Sequence, residues 1–317
     1  MNFLKRDIRI LLLAALTMLT ISSCKKFQGD VTIPAYIHLD RVDIVPQSHN
    51  APSLQTGFYS SDIDAVYVVA YAEGSMKEDT LGTFQLPFTV PVLHYGDYKY
   101  IRLYPVIKID GVSGLRTYYT ALLPIELNNV HLAADSVTNL GRYDADLQQY
   151  YVEGNYKTRD VMQVLMEDYF EPTDFSTNFD SNLVWVADDP AGACTGKGYG
   201  RIHLADTDAT ATVTINREFS PSSANALYLE LDYKSDVSFY IHMLGYQTNA
   251  SGNTTSNSVM CLYPSAKWQK MYIMLGRTWS QFYYNVPIAL YLQAVNVDGR
   301  GGDVLLDNVK LISFPAI

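Results

Sequence analysis

Three cysteines in 317 residues are too few to staple the chain into a disulfide framework. Histidine is scarce as well. His38, His49, His94, His131, His203 and His242 are scattered, with no H-E-x-x-H pattern and no metal-ligand spacing, so a catalytic zinc centre has no support. A G-x-S-x-G nucleophile elbow is missing too. Beyond residue 23 basic clusters are confined to Lys25-Lys26, and the net charge of the chain is −10. A nucleic-acid partner is therefore not expected, because phosphates demand a field of the opposite sign. No helical period is sustained through the body of the chain. The apolar stretch near the start, Ile10 to Ile21, is broken by Thr17 and Thr20. As a helix it would reach about 18 Å, short of the ~30 Å of a bilayer core.

That stretch follows Lys5, Arg6 and Arg9, and a basic start before a short apolar segment reads as a signal peptide, residues 1–23. Ile21-Ser22-Ser23-Cys24 then resembles the bacterial lipobox: an aliphatic residue, two small residues and an acceptor cysteine. The resemblance implies that Cys24 receives diacylglycerol and is palmitoylated, tethering the chain to a membrane through residues 24–32. More than one acyl chain holds a protein on a bilayer far better than a single one. Removing residues 1–23 takes away three basic side chains and one acidic, leaving a net charge of −12.

What the body does contain is strand-forming residues. Hydrophobic residues make up 48% and tyrosines number 25, alongside many Val and Thr, which suits half-buried pleated surfaces. Alternation over Ile33–Asp40, Ala65–Tyr71, Thr80–Leu86, Tyr98–Ile109, Leu115–Leu123 and Val137–Leu140 is punctuated by turn residues, so an immunoglobulin-like sandwich is expected over residues 33–141. Pro87 and Pro91 read as a crossing segment. The polar stretch 142–158 reads as a linker. Arg159–Glu167 fits either a short helix or a strand. Nine strands are expected beyond it, at Leu183–Val186, Gly200–Ala205, Ala211–Ile215, Leu227–Lys234, Val237–Leu244, Ser258–Leu262, Trp268–Leu275, Ile288–Val295 and Val304–Ile312. Together they predict a two-sheet jelly roll over residues 159–317. Tyr246 to Asn257 is polar enough to project as a loop. The fold class is all-β.

Two resemblances add to this. Ile33-Pro34-Ala35-Tyr36-Ile37, Gly82-Thr83-Phe84-Gln85-Leu86-Pro87 and Ile107-Lys108-Ile109-Asp110-Gly111-Val112-Ser113 are similar to uncharacterised outer-membrane lipoproteins of Bacteroidota. That likeness implies an outer-membrane lipid anchor in the cell envelope. Lys25-Lys26-Phe27-Gln28-Gly29 is not the acidic run that often marks surface export in this phylum, so the periplasmic and surface faces both stay open. Glu167-Asp168-Tyr169-Phe170-Glu171, Leu229-Glu230-Leu231-Asp232-Tyr233, Lys267-Trp268-Gln269-Lys270 and Val304-Leu305-Leu306-Asp307-Asn308-Val309-Lys310-Leu311 resemble jelly-roll carbohydrate-binding and galactose-binding-like modules. That resemblance implies glycan binding and a structural calcium between the first and last strands. Asp168, Glu171 and Asp307 would be its oxygen ligands; otherwise they cap turns or face water.

The residues themselves suggest a ligand surface. Trp279, Phe282, Tyr283 and Tyr284 gather in a loop-like stretch with Arg277, Gln281 and Asn285 among them. Sugar C–H faces pack on aromatic rings while polar groups grip hydroxyls. The same aromatics would serve equally well to seal one end of a sandwich. Tyr240 and His242 share one face of a strand, and Trp268 opens another strand as a structural residue. Cys194 and Cys261 either pair in an oxidising envelope or remain two buried thiols. Asp188-Asp189 reads as a solvated turn rather than a glycosidase pair, whose carboxylates must face each other ~5–10 Å apart. The leading expectation is a non-enzymatic envelope lipoprotein with a spacer and a glycan-binding module. The alternative is an accessory subunit of an outer-membrane secretion, gliding or nutrient-uptake complex.

Overall fold

The computed structural model describes residues 33–45, 61–157, 161–171, 178–220, 225–248, 254–282 and 286–315. The signal segment, Cys24 and the tether lie outside the described residues. Among the described residues no helix is long and apolar enough to cross a membrane. The chain is all-β, and it forms two sandwiches.

The first is built from β1 (Ala35–Leu39), β2 (Arg41–Ile44), β3 (Ala65–Ala72), β4 (Asp79–Gln85), β5 (Phe88–Val92), β6 (Gly96–Lys108), β7 (Arg116–Tyr118), β8 (Ile125–Leu132), β9 (Val137–Asn139), β10 (Arg142–Asp144) and β11 (Gln149–Gly154). A five-stranded sheet, β4-β3-β6-β7 with β8 on β6, faces two three-stranded sheets, β5-β1-β9 and β10-β11-β2. Burial follows the period of two that a pleated strand imposes: Ala35, Ile37 and Leu39 are fully buried while the residues between them are not. β5 carries Pro91, which a strand tolerates at a sheet edge. The proline therefore disguised a strand as a crossing. β8 was hidden differently, by Asn129 at φ 55, which interrupts its alternation.

Residues 142–157 are not a linker. β10 and β11 form a hairpin, and β11 runs parallel to β2 with Val152 opposite Val42. Val152 and Tyr156 turn inward and are buried. The stretch reads as polar because the residues between them face water.

The second sandwich contains β12 (Gln163–Asp168), β13 (Val184–Val186), β14 (Tyr199–Leu204), β15 (Thr210–Thr214), β16 (Asn225–Ser235), β17 (Ser238–Thr248), β18 (Thr254–Leu262), β19 (Ser265–Met274), β20 (Ile288–Val295) and β21 (Gly302–Pro315), plus a single helical turn α1 (Gly276–Trp279). One sheet runs β13-β14-β21-β16-β19, with β12 also on β21; the other runs β15-β20-β17-β18. The ambiguous stretch after residue 160 is thus strand, and much of the expected loop at 246–257 is the two ends of the β17–β18 pair.

β16 shows why the two sandwiches form one body. Leu227, Leu229 and Leu231 point into the jelly-roll core. The alternate residue Tyr228 instead joins the first sandwich's core, with Tyr272, Ile312 and Phe314 from β19 and β21. Tyr119 stands edge-on to Tyr228, Tyr272 and Phe314 at 5.4, 5.1 and 5.8 Å. At the centre lies Glu230, wholly buried. It accepts hydrogen bonds from Tyr119 Oη at 2.7 Å and Tyr156 Oη at 2.8 Å, and Lys270 and Lys310 approach it at 3.8 and 4.0 Å. Burial beside this carboxylate pushes both tyrosines well above their ordinary range. A hydroxyl donated to a buried charged group contributes about 1.5–3 kcal/mol. We expect Tyr119→Phe and Tyr156→Phe each to lower stability by about that much in denaturant titration, with non-additive effects because they share one acceptor. The wild-type chain should unfold in one transition; two separate transitions would refute the shared core.

Candidate functional site

A jelly roll has two outer faces, and here the first sandwich covers one of them. The outer face of β15-β20-β17-β18 remains open. Along these strands Phe239, Ile241, Met243, Leu290, Leu292 and Val213 are buried inward. The alternate side chains form cross-strand rows outward, since directly opposed residues share a face. One row is Thr214, Tyr291, His242 and Ser258; the next is Thr212, Gln293, Tyr240 and Cys261.

The aromatic members are stacked into a platform. His242 and Tyr291 lie 4.6 Å apart and 10° from parallel, and Tyr240 follows His242 at 5.8 Å. Tyr240 and Tyr246 expose 36% and 42% of their surface. Ser256 Oγ and Tyr291 Oη share a hydrogen bond of 2.8 Å, and Gln293 Nε2 donates to Thr212 Oγ1 at 3.4 Å. The four strands contain no Lys, Arg, Asp or Glu. Burial holds His242 below its ordinary value, and its Nε2 has no hydrogen-bond partner among the described residues. The imidazole is therefore neutral at pH 7. This face pairs π-surfaces with uncharged hydroxyl and amide groups.

The expected aromatic cluster is placed differently. Trp279 is 5% exposed and Phe282 3%, and both belong to the jelly-roll core. Trp279 N donates to Leu275 O, so α1 folds the indole back over the end of the sandwich. Phe282 lies against Gly245 so closely that a Cβ there would collide with the ring. Trp279 is thus corrected from ligand contact to core: an indole that covers the end of a sandwich gains more from burial than from water. Arg277 and Gln281 are exposed, and Gln281 Oε1 accepts from Asn257 Nδ2 at 3.1 Å. Tyr283 and Tyr284 lie outside the described residues. Trp268 is structural as expected, donating from Nε1 to Gly192 O.

The carboxylates expected to hold calcium are engaged by backbone instead. Asp168 Oδ1 accepts from Phe170 N at 3.1 Å, and Glu171 Oε1 from Lys197 N at 2.8 Å. Asp307 accepts from Cys194 N, Thr195 N and Asn308 N at 3.1, 3.0 and 2.7 Å. Among the described residues no group of three or more His, Cys, Asp or Glu is placed to hold a metal. Glu171 and Asp307 act as clamps on the 194–197 loop. Cys194 and Cys261 are free thiols, not a disulfide. Cys194 sits in the clamped loop, where burial pushes its thiol up to about 12, whereas Cys261 lies in a row of the open face.

No family model matches the chain, and no curated protein matches it. Among solved structures, the chain is similar to carbohydrate-binding modules. One is a family 11 module of a cellulosomal cellulase of Clostridium thermocellum, 11% identical, with a TM-score of 0.33, covering 49% of this chain and 97% of that one. Another is TmCBM61 in complex with β-1,4-galactotriose, at 13% identity and a TM-score of 0.29, covering 44% of this chain and 90% of that one. A third, from work on promiscuous specificity of carbohydrate-binding modules of the β-sandwich superfamily, covers 89% of this chain and 99% of that one at 12% identity and a TM-score of 0.34. What the open face can bind follows from its own side chains.

Sequence reasoning placed Tyr240 and His242 on one face, and of the aromatics it offered as a ligand surface Trp279 and Phe282 prove to be buried. The missed signal was the alternation in Ile288–Val295, which puts Tyr291 and Gln293 beside them. Two outcomes test this placement. Trp279→Ala should cost about 3–5 kcal/mol of stability by denaturant titration, as removal of a buried indole does. Because the folded pKa of His242 is depressed, its contribution is present above about 6.5 and lost as pH falls through the unfolded and then the folded value. Melting temperatures of wild type and His242→Phe should therefore diverge on acidification from pH 7 to 5, with the wild type losing more.

Proposed function

We propose that this protein is a non-catalytic, lipid-anchored lipoprotein of the cell envelope. Its jelly roll binds an uncharged glycan on the outer face of the four-stranded sheet. The observation that carries the reading is the composition of that face: stacked Tyr291, His242 and Tyr240 with Gln293, Thr212 and Ser258 around them, and no formal charge on any of the four strands. Aromatic rings offer C–H-facing surface to a pyranose, and amide and hydroxyl groups exchange hydrogen bonds with its hydroxyls. The same composition disfavours acidic or sulfated polymers, because no cation is present to offset their charge.

The lipid anchor rests on Ile21-Ser22-Ser23-Cys24 and the basic, apolar segment before it. Metabolic labelling with a clickable palmitate should mark the wild-type protein and fail to mark Cys24→Ala. Glycan binding is tested by calorimetry on the detergent-solubilised full chain against a panel of neutral and acidic polysaccharides. Saturable binding to a neutral member is expected, and Tyr291→Ala should weaken it by up to about tenfold, the equivalent of one lost aromatic contact of ~0.5–1.5 kcal/mol. Binding confined to acidic polymers, or binding indifferent to Tyr291, would overturn the reading in favour of an accessory subunit recruited by protein contacts.

A further inference from the structure

The open face does not end at its last strand. β18 is the edge of the four-stranded sheet, and Tyr263-Pro264 carries the chain directly from it into β19, which belongs to the sheet covered by the first sandwich. At that corner a cleft of about 500 Å³ lies between the sandwiches. Cys261 belongs to both: it is the cross-strand partner of Tyr240 on the face and it lines the cleft. Tyr263, two residues on, also lines the cleft and is 73% exposed. Its ring is thus presented to solvent where the open face meets the cleft.

The far wall comes from the first sandwich, chiefly the turn after β6 with Gly111 and Ser113. The wall is held in place. Asp110 N donates to Tyr272 O at 2.9 Å, and Asp110 Oδ1 accepts from Met274 N at 3.0 Å. Gly111, at φ +69, brings its backbone so near Met271 that a Cβ would meet the methionine methyl at 3.0 Å. A docked turn of this kind makes the cleft preformed, which reduces the ordering cost of binding.

The charges around the cleft are already compensated. Lys108 pairs with Asp64 at 2.8 Å, and Lys270 lies 3.5 Å from Asp232. Exposed Asp62 adds an acceptor and repels anions. The cleft therefore matches the open sheet in disfavouring an acidic ligand.

From this continuity we infer that the first sandwich contributes to the binding site: a linear, uncharged glycan crosses the open sheet, passes Tyr240, Cys261 and Tyr263, and ends in the cleft against Ser113. The inference rests on the glycan reading of the sheet. It predicts a ligand longer than the sheet alone accommodates, since three inter-strand spacings of ~4.8 Å give only about 14 Å.

The test measures affinity of the detergent-solubilised full chain for neutral oligosaccharides from disaccharide to octasaccharide, cut from whichever neutral polysaccharide binds. Wild type, Tyr263→Ala, Ser113→Trp and Tyr240→Ala are compared, with melting temperatures checked for each. Affinity of the wild type should rise with length beyond the trisaccharide. Tyr263→Ala, and Ser113→Trp by filling the cleft, should each lose about fivefold for the octasaccharide while leaving the disaccharide constant unchanged. Long oligomers, unlike short ones, should also protect Cys261 from maleimide. If Tyr240→Ala weakens every length but both cleft variants match the wild type, the cleft is not part of the site, though the sheet still is. If no neutral oligosaccharide of any length binds the wild type, the glycan reading and this extension fall together.

Discussion

Glu230 is the group around which the architecture is arranged. It sits on β16 at zero exposure, between two sandwiches, and accepts hydrogen bonds from the hydroxyls of Tyr119 and Tyr156 of the first sandwich while Lys270 and Lys310 of the second stand beside it. A buried acid without such partners would cost several kcal/mol. Four partners drawn from β19, β21 and two segments of the other sandwich relieve that cost only in one relative placement of the two units. The surrounding ring of Tyr228, Tyr272 and Phe314 is apolar and supplies the association energy; the carboxylate supplies the register.

This constraint decides where a ligand can go. Docking the first sandwich against β16, β19 and β21 removes one outer face of the jelly roll from solvent. What remains is the uncharged sheet with Tyr291, His242 and Tyr240 on it, and the corner at Tyr263 where that sheet turns into the cleft. A first unit that merely held the second away from a membrane would need no such contact. Here it also forms one wall of the cleft beside Tyr263.

Much of the fold was legible in the amino-acid order because β-structure writes itself locally. The period of two in Ile288–Val295 and Leu227–Lys234, with turn residues between strands, placed nine of the ten jelly-roll strands to within a few residues of where they lie. Strands were missed where a local signal contradicted the tertiary role, as with Pro91 on edge strand β5, or where half of a short strand looked solvated, as in β11. The candidate site was less legible. Trp279 and Tyr291 are both aromatic residues in the last third of the chain, and nothing in their neighbours along the sequence says which is covered.

The sequence by itself determined the all-β class, most strand positions, the alternation that divides each strand into two faces and the lipobox-like segment at Cys24. Local periodicity and composition are enough for each of these. Only the tertiary structure decided that Trp279 and Phe282 seal the sandwich end, that Asp168, Glu171 and Asp307 each accept backbone amide hydrogens, and that the face bearing Tyr240, His242 and Tyr291 is the one left open. Each of those outcomes depends on which distant strand or loop comes to cover a residue. That is settled by packing between segments far apart in the chain, where the burial of Glu230 and its tyrosines fixes the arrangement.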